Sequence, residues 1–81
     1  MKKVLKFWAP WCGPCKQLST TFSSIDSPVA VEEINVDDQP ELAGQYSVRG
    51  IPTLILLDGS TEIARVSGSM PAKELLEFLN Q

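Results

Sequence analysis

The sequence predicts an α/β fold of element order βαβαββα, a four-stranded mixed sheet flanked by three helices. Three observations predict it. An apolar run, Val4 to Trp8, leads directly into a segment whose apolar residues recur at helical spacing. A nearly all-apolar stretch, Thr53 to Leu57, is turned back by Asp58-Gly59-Ser60. Behind Pro71, a closing amphipathic stretch carries Ala72, Leu75, Leu76 and Leu79 on one side.

Val4 to Trp8 is predicted as a short buried strand because Val, Leu, Phe and Trp dominate it. From Cys12 to Ile25, the apolar positions Cys15, Leu18, Phe22 and Ile25 follow helical periodicity. Pro14 is compatible with that helix, since a proline in the first turn removes an N–H that has no intrahelical partner. Ser27-Pro28 breaks the pattern, and Val29 to Val36 reads as a second strand. Asp37-Asp38-Gln39-Pro40 is a helix start with acidic residues near the N-terminus, followed by a short helix over about 40–46. Thr53 to Leu57 is the third strand, apolar enough to be covered on both faces. Glu62 to Val66 is the fourth and pairs with it as an antiparallel hairpin. Pro71 opens the last helix, with Lys73, Glu74 and Glu77 facing water. Right-handed crossover connections make strands one and two parallel. Repeats, linkers and low-complexity tracts are not found, and residues 1–81 are read as a single domain.

At 81 residues, with 43% hydrophobic and 21% charged content, the composition is that of an ordinary soluble globular domain. A chain of this size buries a modest share of its surface, so its stability margin is expected to be thin. Net charge is −3 without a basic cluster, which excludes nucleic acid and an anionic membrane as partners to look for first. Met1-Lys2-Lys3-Val4-Leu5 resembles the start of a signal peptide, but Lys6 interrupts the apolar stretch before an h-region develops. The longest apolar run, Leu54 to Leu57, is far too short to span a bilayer. The expected compartment is therefore the reducing cytoplasm.

The chemistry is concentrated at Trp11-Cys12-Gly13-Pro14-Cys15-Lys16, which holds the only two cysteines of the chain. A Cys-x-x-Cys between a strand and a helix is the pattern of a redox dithiol. A helix beginning near Cys12 places that sulfur at the positive end of the helix dipole, beside N–H groups without intrahelical partners. Motifs of this kind bring a cysteine pKa from about 8.5 into the range of roughly 3.5–7.5. Cys15, one turn on, lies on the same face and is placed to close a disulfide with Cys12.

Two other uses of the pair fit less well. A purely structural disulfide across so short a loop removes little unfolded-chain entropy. A zinc site takes about four ligands, and the chain has no histidine and no third cysteine. A metal centre bridging two subunits stays open as a minor alternative. No metal and no bound cofactor are assigned.

The motif Trp11 to Lys16, then Arg49-Gly50-Ile51-Pro52-Thr53, then Gly68 after the hairpin, resembles the thioredoxin family in order and near spacing, over essentially the whole chain. The resemblance implies roles. Cys12 becomes the exposed nucleophile and Cys15 the resolving thiol, the two exchanging with a substrate through a mixed disulfide. Gly13 and Pro14 become tuners of the turn and its redox potential. The Ile51–Pro52 bond is implied to be cis, against the roughly 5–6% frequency of such bonds. That turns the Ile51 backbone toward the disulfide, where it can pair with an extended substrate strand. Trp11, Gly50, Ile51, Pro52 and Gly68 then form a flat docking patch. Trp11 reads as its exposed cap, and Trp8 as the tryptophan suited to the core.

Two features depart from the family pattern. Members commonly begin with an additional strand and helix, so this chain resembles a compact version, nearer glutaredoxins in size though without their Cys-Pro-Tyr-Cys motif. One sheet face is accordingly expected to be less covered, with lower stability or self-association. Lys6 also stands where members commonly carry a buried aspartate, and Glu33 where they carry the lysine paired with it. The swapped pair has three readings: Glu33 takes over proton transfer, Lys6 stabilises the Cys15 thiolate, or both side chains simply reach water.

The function implied is a thiol–disulfide oxidoreductase, a protein disulfide reductase and electron carrier. Its partners would be disulfide-containing client proteins and either a flavoprotein reductase or the glutathione system, and the chain itself a monomer or weak dimer. A glutaredoxin-like reductase driven by glutathione is one alternative. A non-catalytic binding subunit that lends the fold to a larger assembly is another, disfavoured because a scaffold does not need a nucleophile and a resolver. An oxidase or isomerase is disfavoured by Gly-Pro between the cysteines.

Overall fold

The computed structural model describes residues 1–81, as seven elements. They are β1 (Lys2–Trp8), α1 (Gly13–Ser23), β2 (Ala30–Asn35), α2 (Pro40–Gln45), β3 (Thr53–Asp58), β4 (Thr61–Ser67) and α3 (Ala72–Leu79). The sheet runs β2-β1-β3-β4. β1 and β2 are parallel, and β1–β3 and β3–β4 antiparallel. The element order and mixed sheet agree with the sequence expectation.

Element ends shift by a residue or two for local reasons. The second helix, α2, begins at Pro40 as expected, behind a turn in which the Asp37 N–H donates to Asn35 Oδ1 at 2.9 Å. An Asx turn of this kind satisfies the backbone locally, ahead of the helix. At the last helix, Pro71 serves as N-cap and Ala72 opens the helical run.

Side-chain alternation assigns the two sheet faces. Val4, Leu54 and Leu56 pack with Leu18 of α1 and with Leu75, Phe78 and Leu79 of α3. Leu5, Phe7, Ile34, Ile55 and Leu57 point the other way, toward Leu42 and Ala43 of α2 and the following Tyr46 and Val48. α2 is only six residues long, yet Leu5 is 2% exposed, Ile55 0% and Leu57 3%. The thinner cover expected there does not leave this face open. Two ion pairs on the same face continue the cover: Lys3–Glu32 at 2.8 Å and Arg65–Glu62 at 2.8 Å, with Arg65 also donating to the Tyr46 carbonyl at 2.8 Å. Aliphatic stems of such side chains shield apolar surface while their charges stay wet. The hydrogen bond to Glu32 raises the Lys3 pKa above its usual value, and that to Arg65 lowers the Glu62 carboxyl below its own.

Ser47 closes α2 with φ 56°, the only non-glycine in the left-handed region. Its N–H donates to the Gly44 carbonyl at 3.0 Å, and the Val48 N–H to that of Ala43 at 2.8 Å. A left-handed residue with a Cβ costs roughly 1–2 kcal/mol, while a glycine costs roughly 0.5–1 kcal/mol in unfolded-chain entropy. Ser47→Gly is therefore expected to stabilise the fold by about 0.5–1 kcal/mol, raising the melting temperature by a few degrees at this size. An unchanged or lower melting temperature would count against a strained Ser47.

Candidate active site

The site forms where β1 hands the chain to α1. Cys12 is the N-cap of α1 in extended conformation (φ −92°, ψ 110°), and Gly13 and Pro14 are the first helical residues. The first turn leaves N–H groups without intrahelical partners. Pro14 removes one such donor, and the Cys15 N–H points to Cys12 Sγ at 3.2 Å. Negative charge developing on Cys12 sulfur is thus met by a backbone donor and the positive end of the helix.

Cys12 and Cys15 are joined as a disulfide with their Cα atoms 5.2 Å apart. Cys12 is less open than its role as the exposed thiol implies: 5% of the residue is accessible, against 2% for Cys15. The reason is local, because its sulfur lies 3.9 Å from the Ile51 carbonyl oxygen and both cysteines pack with Ala9, Trp8, Val36 and Ile51.

The 50–53 loop approaches from the other side. Its Ile51–Pro52 bond is cis. Thr53 Oγ1 donates to the Gly50 carbonyl at 2.6 Å and lies 3.1 Å from Ser67 Oγ. Gly68, at φ 93°, donates its N–H to the Pro52 carbonyl at 2.9 Å. That positive φ favours glycine, and the bond ties the end of β4 to the cis-proline loop. Gly50 is exposed, Ile51 and Gly68 are half-buried and Pro52 is buried.

Trp11 lies across the top of the site, 68% exposed. Its indole N–H donates to Asp37 Oδ2 at 2.9 Å. Together with Val36, Val48, Arg49, Gly50 and Ile51, it lines a shallow, mostly apolar groove of about 160 Å³. Trp8 is half-buried against the cysteines, with its indole nitrogen buried and unpaired.

Lys6 and Glu33 are register partners on the parallel strands β1 and β2, and their Nζ and Oε1 atoms are 3.2 Å apart. The expectation that both reach water holds for Glu33, whose side chain is 56% exposed, but not for Lys6, at 2%. Lys6 Nζ donates to Ser19 Oγ and sits 5.3 Å from the centre of the Phe22 ring.

Two residues of the site, Asp37 and Ser19, are not singled out by sequence reasoning. Asp37 reads as part of a helix start, and Ser19 is not among the apolar positions that mark the helix over 12–25. Asp37 carries one usable signal, its position directly after a strand that ends beside the dithiol.

An α/β domain with a Cys-x-x-Cys at a helix N-terminus, facing a cis-proline loop, has the architecture of a thiol–disulfide oxidoreductase. Comparison with known proteins gives the same class. The thioredoxin family model matches residues 1–81. Thioredoxin of Pyropia yezoensis is 38% identical, the match covering 96% of this chain and 77% of the relative. Thioredoxin of Chlamydia caviae is 41% identical, over 96% and 79%. Among solved structures, a mutant thioredoxin from Halobacterium salinarum superposes with a TM-score of 0.89 at 32% identity, covering 98% of this chain and 72% of that one. The chain belongs to the thioredoxin family.

Its activity is thiol–disulfide exchange, with a redox-active Cys-x-x-Cys as the reacting pair. Family members act on disulfide-containing substrates and are re-reduced by a reductase. No helix is long and apolar enough to cross a membrane.

Proposed function

We propose that this chain is a general protein disulfide reductase of the cytoplasm, working as a single domain over residues 1–81 and as a monomer or weak dimer. The observation that carries this reading is the placement of Cys12. It caps α1, takes the Cys15 N–H on its sulfur, and faces the Ile51 carbonyl of the cis-proline loop.

In the reduced protein, Cys12 loses its proton to solvent and its thiolate attacks a client disulfide. The Cys12–client bond forms as the client S–S bond breaks, and the departing client thiolate takes a proton from solvent. Cys15, deprotonated in turn, attacks Cys12 sulfur; the Cys12–Cys15 bond forms and the second client thiol leaves. Two electrons have passed from protein to client. A flavoprotein reductase or the glutathione system returns them.

Trp11, Gly50, Ile51, Pro52 and Gly68 receive the client as an extended strand, through the Ile51 backbone and the apolar groove beside Trp11. Gly13-Pro14 holds the turn and sets the redox potential. Lys6 and Glu33 tune the same centre.

Reduction of insulin with dithiothreitol as terminal donor tests this function. Precipitation of the freed B chain well ahead of the dithiothreitol control is expected. The same assay driven by NADPH with a flavoprotein reductase, or by glutathione, then assigns the donor. Folded protein that fails with every donor would overturn the general-reductase reading in favour of a narrow client.

A further inference from the structure

Lys6 is the only charged side chain among the buried residues, at 1% exposure, and the exchange chemistry above leaves its role open. Burying an ammonium is costly unless it is paired and hydrogen-bonded. Lys6 meets that condition with Ser19 Oγ, Glu33 Oε1 at 3.2 Å and the face of Phe22. All three partners hold the charge at one place. Ser19 lies one helical turn beyond Cys15, on the same face of α1, and residues so spaced are neighbours. A groove of about 350 Å³ joins them, lined by Cys15, Ser19, Trp8 and Lys16. On its other side, Ser19 also lines a hollow with Lys6 and Glu33.

We infer that Lys6 is a fixed cationic group acting on the second half of the exchange, favouring the Cys15 thiolate that resolves the mixed disulfide. The inference rests on the reductase reading and adds to it which step the buried charge serves. Lys6 does not touch the sulfurs and neither gives nor takes a proton in the cycle. It acts through its field, in a region less screened than water. The Cys15 proton leaves through the groove to solvent. Cys15 thiolate then bonds to Cys12 sulfur, and the substrate leaves as thiolate. Glu33 partly offsets the Lys6 charge from the solvent side.

The charged groups around Cys15 are few. Lys6 approaches from β1, held against Ser19. Lys16 lines the Cys15 groove from α1 at an exposed position. Glu33 stands beyond Lys6 on β2. Asp37 and Arg49 flank the other side of the site, next to Trp11. Lys16 is solvated, so its influence is the more strongly screened.

The test follows the reaction of reduced protein with 5,5′-dithiobis(2-nitrobenzoate) in stopped flow. Attack by Cys12 releases the first nitrothiobenzoate, and resolution by Cys15 releases the second in a separate first-order phase. Lys6→Met is expected to slow the second phase about tenfold near pH 6, with the deficit closing as pH rises and the thiol ionises without help. Lys6→Arg restores most of the rate. Glu33→Gln, exposed and tolerable to the fold, shifts the profile the opposite way, toward lower pH, because it leaves the cation uncompensated. At a pH high enough for Cys15 to be ionised in the reduced protein, loss of the charge also destabilises that form, and there a tenfold change in the glutathione equilibrium, about 30 mV, makes Lys6→Met the more reducing protein.

A deficit equal at every pH, or a Glu33→Gln profile that does not move, would overturn the inference. If Lys6→Met does not fold, the Glu33→Gln and Lys6→Arg profiles still decide it. Wild-type protein that releases no second nitrothiobenzoate would instead refute the underlying two-thiol cycle.

Discussion

Cys12→Ser is expected to abolish disulfide reduction, lowering insulin turnover by on the order of 10³-fold or more, because a serine hydroxyl is not ionised at neutral pH. Cys15→Ser should fail differently. It retains the Cys12 nucleophile at the N-cap of α1 and so still attacks, but nothing resolves the product. Mass spectrometry of Cys15→Ser incubated with a disulfide peptide should show a stable adduct on Cys12, and Cys12→Ser should show none under the same conditions. An adduct on Cys15 in the Cys12→Ser protein, formed as fast, would reverse the assigned roles. Both residues are buried in the disulfide form, Cys12 at 5% and Cys15 at 2% exposure, so the adduct experiment rather than burial assigns the roles.

Phe7→Ala carries the largest expected effect on stability. Phe7 is 0% exposed, at the middle of the sheet face that α2 covers, and its ring lies 5.9 Å from that of Tyr46. Truncating a buried phenylalanine to alanine costs roughly 3–5 kcal/mol, combining lost transfer energy with the cavity left behind. A domain of this length has roughly 4–12 kcal/mol in total. The variant should therefore lose about 15 °C or more in melting temperature, and a substantial fraction unfolds at 37 °C if the wild type sits low in that range. Equilibrium urea unfolding measures it. A loss below about 1 kcal/mol would mean that the residues around Phe7 collapse into the space, and that this face is more plastic than its packing indicates. The six-residue α2 is the only helix on that face, so few neighbours are available to do so.

Much of this molecule is legible in its sequence because its signals are local. A run dominated by Val, Leu, Phe and Trp places Val4 to Trp8 in a strand, and the 3.6-residue recurrence of Cys15, Leu18 and Phe22 places them on one helix face. Cys-Gly-Pro-Cys at the join of those two patterns marks the chemistry without any tertiary information. Features that depend on the approach of distant segments are not legible. Whether Lys6 reaches water depends on Phe22 and Ser19 closing over it from α1, and a charged residue in a strand is ordinarily read as surface. The Trp11–Asp37 bond joins two turns that are remote in sequence. The Asp37 N–H donates to Asn35 Oδ1, a local turn ahead of α2 that residue types alone do not specify. The cover over Leu5 and Leu57 comes in part from lysine, arginine and glutamate side chains, which residue-type reasoning counts as solvent rather than as packing.

A redox titration of the wild-type protein tests the central claim most directly. The protein is equilibrated across glutathione or dithiothreitol buffers of known potential, quenched with acid, alkylated and weighed. The account predicts one transition between a species with both thiols alkylated and a species with none, following a two-electron Nernst curve that spans a tenfold change in ratio per about 30 mV. Alkylation of both cysteines at every potential, or an oxidised form found only as an intermolecular dimer, would contradict a Cys12–Cys15 couple as the working centre of this protein.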